Sequence, residues 1–334
     1  MLHRMRRLGV GRVTGLRVTP GLLTGVQLAD ITAAVRAARA PNTQRAYDSA
    51  WRHWSAWCGL HGFQALPADA LTVAAYLTER AREGRSVSTL DMARAAIRCA
   101  HRDAGRADPT ASPGVDLVLK GLKRRRGSAP TRQAHPLTTD ELRRIVDGID
   151  RESLRGKRDA ALILLGYAGA FRRSELANLT VRDLAFKVDG VVVSLRHSKG
   201  DQESKGIVVG VLRGKMKESD PVFALREWIS ASGIGEKAPL FQRIAWSDRR
   251  TTGQPITGDT VNSILQERSA AAGLADLQLT GHSLRAGHAT TAAENGVPSD
   301  RLARTTRHKN LATLARYVRP AEVLRDSSSG SLGL

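Results

Sequence analysis

Cysteine is scarce: only Cys58 and Cys99 occur in 334 residues, both among apolar neighbours. They make no CxxC pair and no Cys/His zinc spacing, so the setting predicts buried, reduced thiols in a reducing cytosol. Aromatic residues make up 4% of the chain, and three of the five tryptophans crowd into Trp51, Trp54 and Trp57. No apolar stretch reaches transmembrane length, so no membrane partner is expected. Acids are absent from residues 1–29, which begin Met1-Leu2-His3-Arg4-Met5-Arg6-Arg7. That start resembles the basic region of a signal peptide, but Arg12 and Arg17 interrupt any apolar core, so export is not expected. An organelle transit peptide is a minority reading of the same stretch. No acidic cluster has the look of a two-metal centre; Asp147-Gly148-Ile149-Asp150 reads as ordinary helix-end chemistry. No glycine-rich nucleotide loop is present. Neither a metal nor a cofactor is expected.

Positive charge is what the chain has in excess. Its 52 Lys/Arg against 32 Asp/Glu give a formal net charge of +20 and a pI of about 11.0. Such a balance speaks about partners rather than fold, and nucleic acid is the commonest polyanion that would answer it. An anionic membrane surface or a merely soluble basic protein would fit the charge alone. Residues 1–127 hold 21 Lys/Arg against 9 Asp/Glu, and the remainder holds 31 against 23. Both halves can therefore touch phosphate, and the acid-free start reads most simply as a basic arm lying on DNA.

Hydrophobic spacing divides the chain. Residues 42–59 read as a helix capped by Asn42, with Tyr47, Trp51, Trp54 and Cys58 on one stripe that is core packing. A second helix covers 69–83, with Leu71, Ala74, Ala75 and Leu77 inward. A third starts near Ser88, with Asp91 in a box-like position, and a fourth covers 114–125. Four helices without a strand signal make an all-α bundle. The run Lys123-Arg124-Arg125-Arg126-Gly127-Ser128-Ala129-Pro130 then has a linker pattern that can also strap phosphate. Beyond it, Thr138 and Glu141 form a capping box. Residues 157–168 read as a buried helix. Val191-Val192-Val193 and Ile207-Val208-Val209 read as a β-hairpin with a long polar tip. Residues 221–231, 257–272, 282–295 and 299–306 read as helices, with Gly296 closing the third. The expected fold is mainly α, an N-terminal helical bundle followed by a mainly α domain with a small antiparallel sheet. The expected divisions are a basic arm at 1–29, a helical DNA-binding domain at 30–122, a basic linker at 123–136, a catalytic domain at 137–326 and a tail at 327–334.

The later half carries Phe171-Arg172-Arg173-Ser174-Glu175-Leu176, then His282-Ser283-Leu284-Arg285, then His308 followed nine residues on by Tyr317. Arg172 follows an apolar helix and a Gly169-Ala170 turn, where an unpaired guanidinium would be costly. Glu175 is its helical partner at i+3. His282 and Arg285, also i and i+3, share a helix face. Guanidinium forks suit non-bridging phosphate oxygens, because they stay charged and donate two hydrogen bonds. Nearby arginines favour the ionised form of Tyr317, a nucleophile that can hold phosphate as an ester. Lys199 stands at the hairpin tip, where a flexible ammonium can protonate a leaving oxygen; Lys205 on the same loop is its rival. Arg173 faces solvent or a DNA backbone.

These elements, in this order, resemble the active site of the tyrosine recombinases, the phage integrase family. The likeness runs over roughly residues 30–325 and is strongest to bidomain recombinases of the Cre type. It also rests on Trp54-Ser55-Ala56-Trp57-Cys58, Trp228-Ile229-Ser230-Ala231-Ser232-Gly233 and Gly281-His282-Ser283-Leu284-Arg285. The resemblance implies catalytic roles for Arg172, Lys199, His282, Arg285, His308 and Tyr317, with Glu175 supporting. Lys123, Arg124, Arg125, Arg126, Arg173 and Lys205 are the expected DNA contacts. It implies metal-independent strand cleavage through a 3′-phosphotyrosine and a Holliday junction. The implied partners are a C-shaped clamp's duplex DNA with inverted-repeat arms and further copies of the chain, a dimer per site and a tetramer at synapsis. Val323 and Leu324 lie where such enzymes often dock on a neighbouring copy. The expected location is the cytoplasm, at the nucleoid. One departure is Thr306-Arg307-His308, where many members have Leu-Gly-His. A non-catalytic DNA-binding regulator and a type IB topoisomerase are the alternatives; the first has no use for Tyr317, and the helical N-terminal half argues against the second.

Overall fold

In the computed structural model, the tryptophan stripe lies inside a helical unit. Residues 12–13, 16–17, 26–27, 30, 34, 41–126, 134–195, 206–307 and 314–315 are described. The chain divides into two compact units, Met1–Arg132 and Gln133–Leu334.

Four helices build the core of the first unit: α1 (Pro41–Leu60), α2 (Ala70–Arg82), α3 (Val87–Asp103) and α4 (Pro113–Arg126). Trp54 and Cys58 are fully buried, and Trp54 stacks on Trp57 at 5.9 Å and meets Tyr76 edge-on at 5.1 Å. The Trp54 indole N–H donates to the Ala65 carbonyl at 3.1 Å, so this buried polar tip is satisfied.

Three local expectations for this unit need correction. Pro41, with its φ already helical, opens α1, so Asn42 sits inside the first turn and accepts from Arg45 instead of capping. The inward face of α2 is Val73, Tyr76 and Leu77; Leu71 is 80% exposed and Ala75 is exposed. Burying the Tyr76 ring removes more apolar area than burying two alanines, and this rotates the helix. The cap of α3 is Ser86, two residues before the expected start, and its hydroxyl accepts from the Thr89 N–H. In addition, α4 continues through Arg126, so Lys123 to Arg126 form its last turn.

The second unit is centred on α6 (Leu154–Ala168), whose residues from Arg158 to Gly166 are all buried. Before it comes α5 (Thr139–Asp147), started by the expected reciprocal box. The Thr138 N–H donates to Glu141 Oε2 at 2.8 Å and the Glu141 N–H to Thr138 Oγ1 at 3.2 Å. After it come a tight turn and the short α7 (Arg173–Asn178). A three-stranded antiparallel sheet follows in the order β1 (Leu184–Phe186), β2 (Gly190–Leu195), β3 (Ile207–Leu212), with Val193 facing Val209 and Leu184 facing Val193. The hairpin is as expected, while β1 is an addition. So is a second ribbon, β4 (Gln242–Ile244) with β5 (Thr251–Pro255). The three-residue strands β1 and β4 are too short to show a period of two, and β5, Thr251-Thr252-Gly253-Gln254-Pro255, carries no apolar alternation.

Helices α8 (Pro221–Ser232), α9 (Gly258–Ala271), α10 (Gly281–Glu294) and α11 (Ser299–Thr306) complete the unit. Trp228 of α8 is fully buried and donates to the Leu240 carbonyl at 2.7 Å. Helix α10 is held close by glycine. A Cβ on Gly287 would stand 1.9 Å from the Leu137 carbonyl oxygen, so the segment entering the unit runs directly against this helix. Leu137 in turn donates its N–H to the Ser283 carbonyl at 3.2 Å. Ala286, Ala289 and Ala293 of α10 form a small cluster with Leu302 of α11 and Leu314. The chain therefore returns to α10 after α11. Among the described residues, no helix is long and apolar enough to cross a membrane.

Candidate active site

The turn after α6 does most of the positioning. Gly169 closes that helix, Ala170 adopts a left-handed φ of 48°, and Phe171 is fully buried. Reversing the chain here brings Arg172 to the N-cap of α7 and Glu175 to its third position. The Arg172 N–H donates to Glu175 Oε2 at 2.9 Å, and Arg172 Nη1 donates to Oε1 at 2.5 Å. Glu175 is 3% exposed. Burial opposes its ionisation. The Arg307 charge, the Arg172 N–H and the Arg172 guanidinium outweigh that and hold the carboxyl below its usual range.

Helix α10 supplies the second half. Its first residue is pinned by Asn262 Oδ1, which accepts from the Gly281 N–H at 2.9 Å. His282 and Arg285 lie on its first turn and a half. Arg285 is buried, and its Nη1 donates to the Ala170 carbonyl at 2.8 Å. His282 is exposed. Partial desolvation, then the charges of Arg285 and Arg172, place its pKa below the ordinary imidazole value. One turn on, His288 donates from Nδ1 to the Tyr167 carbonyl at 2.9 Å, and burial pushes its pKa down.

Two residues the sequence reading did not single out for the site join it. Arg307, just past α11, is buried and left-handed with φ 56°. Its Nη2 reaches Glu175 Oε2 and the Ala170 carbonyl, each at 2.8 Å. Its Nη1 donates to the Gly169 carbonyl at 3.1 Å and the Thr305 carbonyl at 2.7 Å. The Arg307 carbonyl accepts from Arg172 Nη2 at 3.2 Å. His288 is the other. A visible sign of Arg307 was its place beside His308, in a triplet that departs from the family pattern.

The structure thus brings Arg172, Glu175, His282 and Arg285 together. Lys199, Lys205, His308 and Tyr317 lie outside the described residues, as do the hairpin tip, Val323 and Leu324. Arg173 turns away from this cluster, is half exposed and pairs with Asp259 of α9 at 2.8 Å. In the first unit Lys123 pairs with Asp91 at 3.0 Å, while Arg124 and Arg125 are exposed. Three guanidiniums against one carboxylate leave the site positive, which suits a phosphate diester.

The sequence model of the phage integrase family matches residues 135–323. An integrase/recombinase of Selenomonas ruminantium, a XerD homolog, is 33% identical over 293 residues, covering 87% of this chain and 85% of its own length. The chain belongs to the phage integrase family. It is a tyrosine recombinase, an enzyme of site-specific DNA recombination. The Cre recombinase of Escherichia phage P1 is 24% identical to this recombinase over 315 residues, covering 89% of this chain and 88% of its own. The structure of the Tn1549 transposon integrase in complex with transposon right-end DNA has a TM-score of 0.60 at 18% identity. It covers 91% of this recombinase and 99% of that chain, and the likeness is one of fold.

Proposed function

We propose that the recombinase cleaves one strand at a time by attack of the Tyr317 hydroxyl oxygen on a phosphodiester phosphorus. The P–O5′ bond breaks, the 3′ end stays on the protein as a phosphotyrosine, and the 5′-oxygen leaves with a proton. Arg172 and Arg285 bind the non-bridging oxygens, where their charge counts most in the transition state. His282, whose pKa partial burial and the neighbouring Arg285 and Arg172 lower from the ordinary imidazole value, is suited to take the tyrosine's proton. His308 adds a second donor to the phosphate, and Lys199, with Lys205 as rival, protonates the leaving oxygen. The single observation that carries the reading is the convergence of Arg172 and Arg285 on one turn: Arg285 binds the Ala170 carbonyl, two residues before Arg172. The buried anchor Leu314 adds support. It packs with Ala286 and Ala289 of the helix that bears His282 and Arg285, and three residues of chain reach at most ~11 Å to Tyr317.

The partner is DNA. Its arms are proposed to be inverted repeats, each bound by one copy, with a dimer per site and a tetramer at synapsis through a Holliday junction. Arg124, Arg125 and Arg173, with Lys123, Arg126 and Lys205, are proposed to hold the backbone, whose contacts supply affinity more than sequence choice. The division into a basic arm, a helical DNA-binding domain, a basic connector and a catalytic domain belongs to the same proposal. So does action at the nucleoid.

The test is a suicide substrate that traps the adduct. Tyr317→Phe should bind DNA as wild type does, because phosphate contacts supply the affinity, and should form no covalent adduct. Cleavage by wild type should persist in excess EDTA, since Glu175, the carboxylate at this cluster, is already held by two arginines. Adduct formation by Tyr317→Phe would move the nucleophile elsewhere. Wild type that binds DNA without cleaving it would favour the non-catalytic regulator.

A further inference from the structure

We propose that Arg307 is a positioning residue for strand cleavage, tying Arg172, Glu175 and Arg285 into one rigid charged unit. The inference rests on the catalytic reading of Arg172 and Arg285 given above. Arg307 does not reach outward: its side chain is 4% exposed, its two Nη groups donate to Glu175 and to the carbonyls of Gly169, Ala170 and Thr305, and its Nε is buried among the described residues without a hydrogen-bond partner. It therefore acts through other groups. It holds Arg172 from two sides, because its own carbonyl accepts from Arg172 Nη2 while its guanidinium shares Glu175 with Arg172 Nη1. It meets Arg285 at a shared acceptor, the Ala170 carbonyl, at 2.8 Å from each. The Phe171 ring, 5.2 Å away, closes the remaining side.

The backbone sharpens the point. At φ 56° and ψ 44°, position 307 is one a glycine would occupy without strain. What arginine adds there is the side chain alone. A buried carboxylate such as Glu175 stays charged only while cations face it. Among the described residues, Arg172 and Arg307 make ion pairs with it. Arg285, His282 and His288 face the same cluster from α10, and Arg182 and Asp183 line the cavity beside Glu175. Removing Arg307 takes away the largest of the favourable influences on the Glu175 carboxylate and leaves its burial unchanged. Glu175 then takes a proton at higher pH, and Arg172 loses its fixed partner there.

The test is single-turnover cleavage of the suicide substrate by the full chain at saturating protein, from pH 5 to 9, for Arg307→Gly and Arg307→Lys. Arg307→Gly should cleave on the order of 100-fold more slowly at neutral pH. The Glu175 part of its acid limb, the part that the Glu175→Gln background removes and that lies beside the His282 part, should move to higher pH. Arg307→Lys keeps the charge, so its limb should move less and its rate should be partly restored. In a Glu175→Gln background, Arg307→Gly should shift no limb further. Should Arg307→Gly not fold, by circular dichroism, the lysine variant carries the same comparison. A wild-type rate and limb in a folded Arg307 variant overturns the proposal. So does a slower rate with an unmoved limb, which would mark a purely structural residue. Failure of wild type itself to form the adduct would instead remove the Tyr317 reading on which this one stands.

Discussion

Among the described residues of the second unit, two of the buried carboxylates, Asp159 and Glu175, are each held between two arginines, and they have different outlets. Asp159 on α6 is 1% exposed. Its Oδ1 accepts from Arg158 Nε at 2.8 Å, and its Oδ2 from Arg268 Nε and Nη2 at 2.9 and 2.7 Å. Arg158 also reaches the Gln242 carbonyl at 3.3 Å, so the knot joins α6, α9 and β4. Glu175 is similarly enclosed, but its cluster holds a third guanidinium, Arg285, and opens outward through Arg172, 24% exposed, and through exposed His282. One knot fastens elements together. The other holds one guanidinium more, a larger positive surplus, facing a surface where a phosphate can come. A buried ion pair alone says little about function; the surplus and the opening are what separate these two.

The sharpest way to break this comparison is to keep charge and remove geometry at the open knot. Arg172→Lys and Arg285→Lys each retain a cation but lose the planar fork. Cleavage of the suicide substrate should fall ~100- to 1,000-fold, the usual loss for one electrostatic donor in a transition state. Binding, measured separately, should change far less. If both lysine variants cleaved normally, the open knot would be another fastening, and the phosphate would be held elsewhere.

The closed knot should answer the other way. Asp159→Asn removes the anion between Arg158 and Arg268 and leaves a buried cation facing a half-buried one. Breaking a buried pair by removing one partner typically costs about 3–5 kcal/mol, a large share of a domain's usual ~5–15 kcal/mol. The urea unfolding midpoint should drop accordingly, while cleavage per folded molecule at low temperature stays near wild type. A stable Asp159→Asn protein that cannot cleave would erase the distinction between the knots.

The two knots also differ in how far the sequence revealed them. Glu175 with Arg172, and His282 with Arg285, were readable because each pair is spaced i and i+3, a purely local relation. The Asp159 knot spans 109 residues to Arg268, and Arg307 lies 132 residues from Glu175. No periodicity reports such pairings, since they depend on how helices return to one another. The same limit explains the fold. The long helices and the valine hairpin showed themselves by period, but the short strands β1, β4 and β5 did not. The inward face of α2 was misread because small alanines imitate an apolar stripe, whereas Tyr76 decides the packing.

The smallest expected effect is the most useful check on register. Arg173 neighbours Arg172 in sequence but leaves the knot altogether: its side chain is 49% exposed, and its partner Asp259 is 88% exposed. Its stem passes the start of α10, where a Cβ on Gly281 would stand 3.0 Å from the Arg173 Cβ. An exposed pair of this kind contributes ~0–1 kcal/mol, and lysine can still make it. Arg173→Lys should therefore leave the unfolding midpoint unchanged and cleavage within about twofold of wild type, less than any electrostatic donor to the phosphate would allow. If Arg173 touches a DNA phosphate, the cost should appear only as weaker binding, because lysine still neutralises a phosphate and contributes nothing to base choice. The informative measurement is the ratio of the two lysine variants in one single-turnover series. A crippled Arg173→Lys beside a nearly normal Arg172→Lys would shift the motif by one residue. Glu175 would then be the partner of a bystander, and the open knot would no longer be the catalytic one.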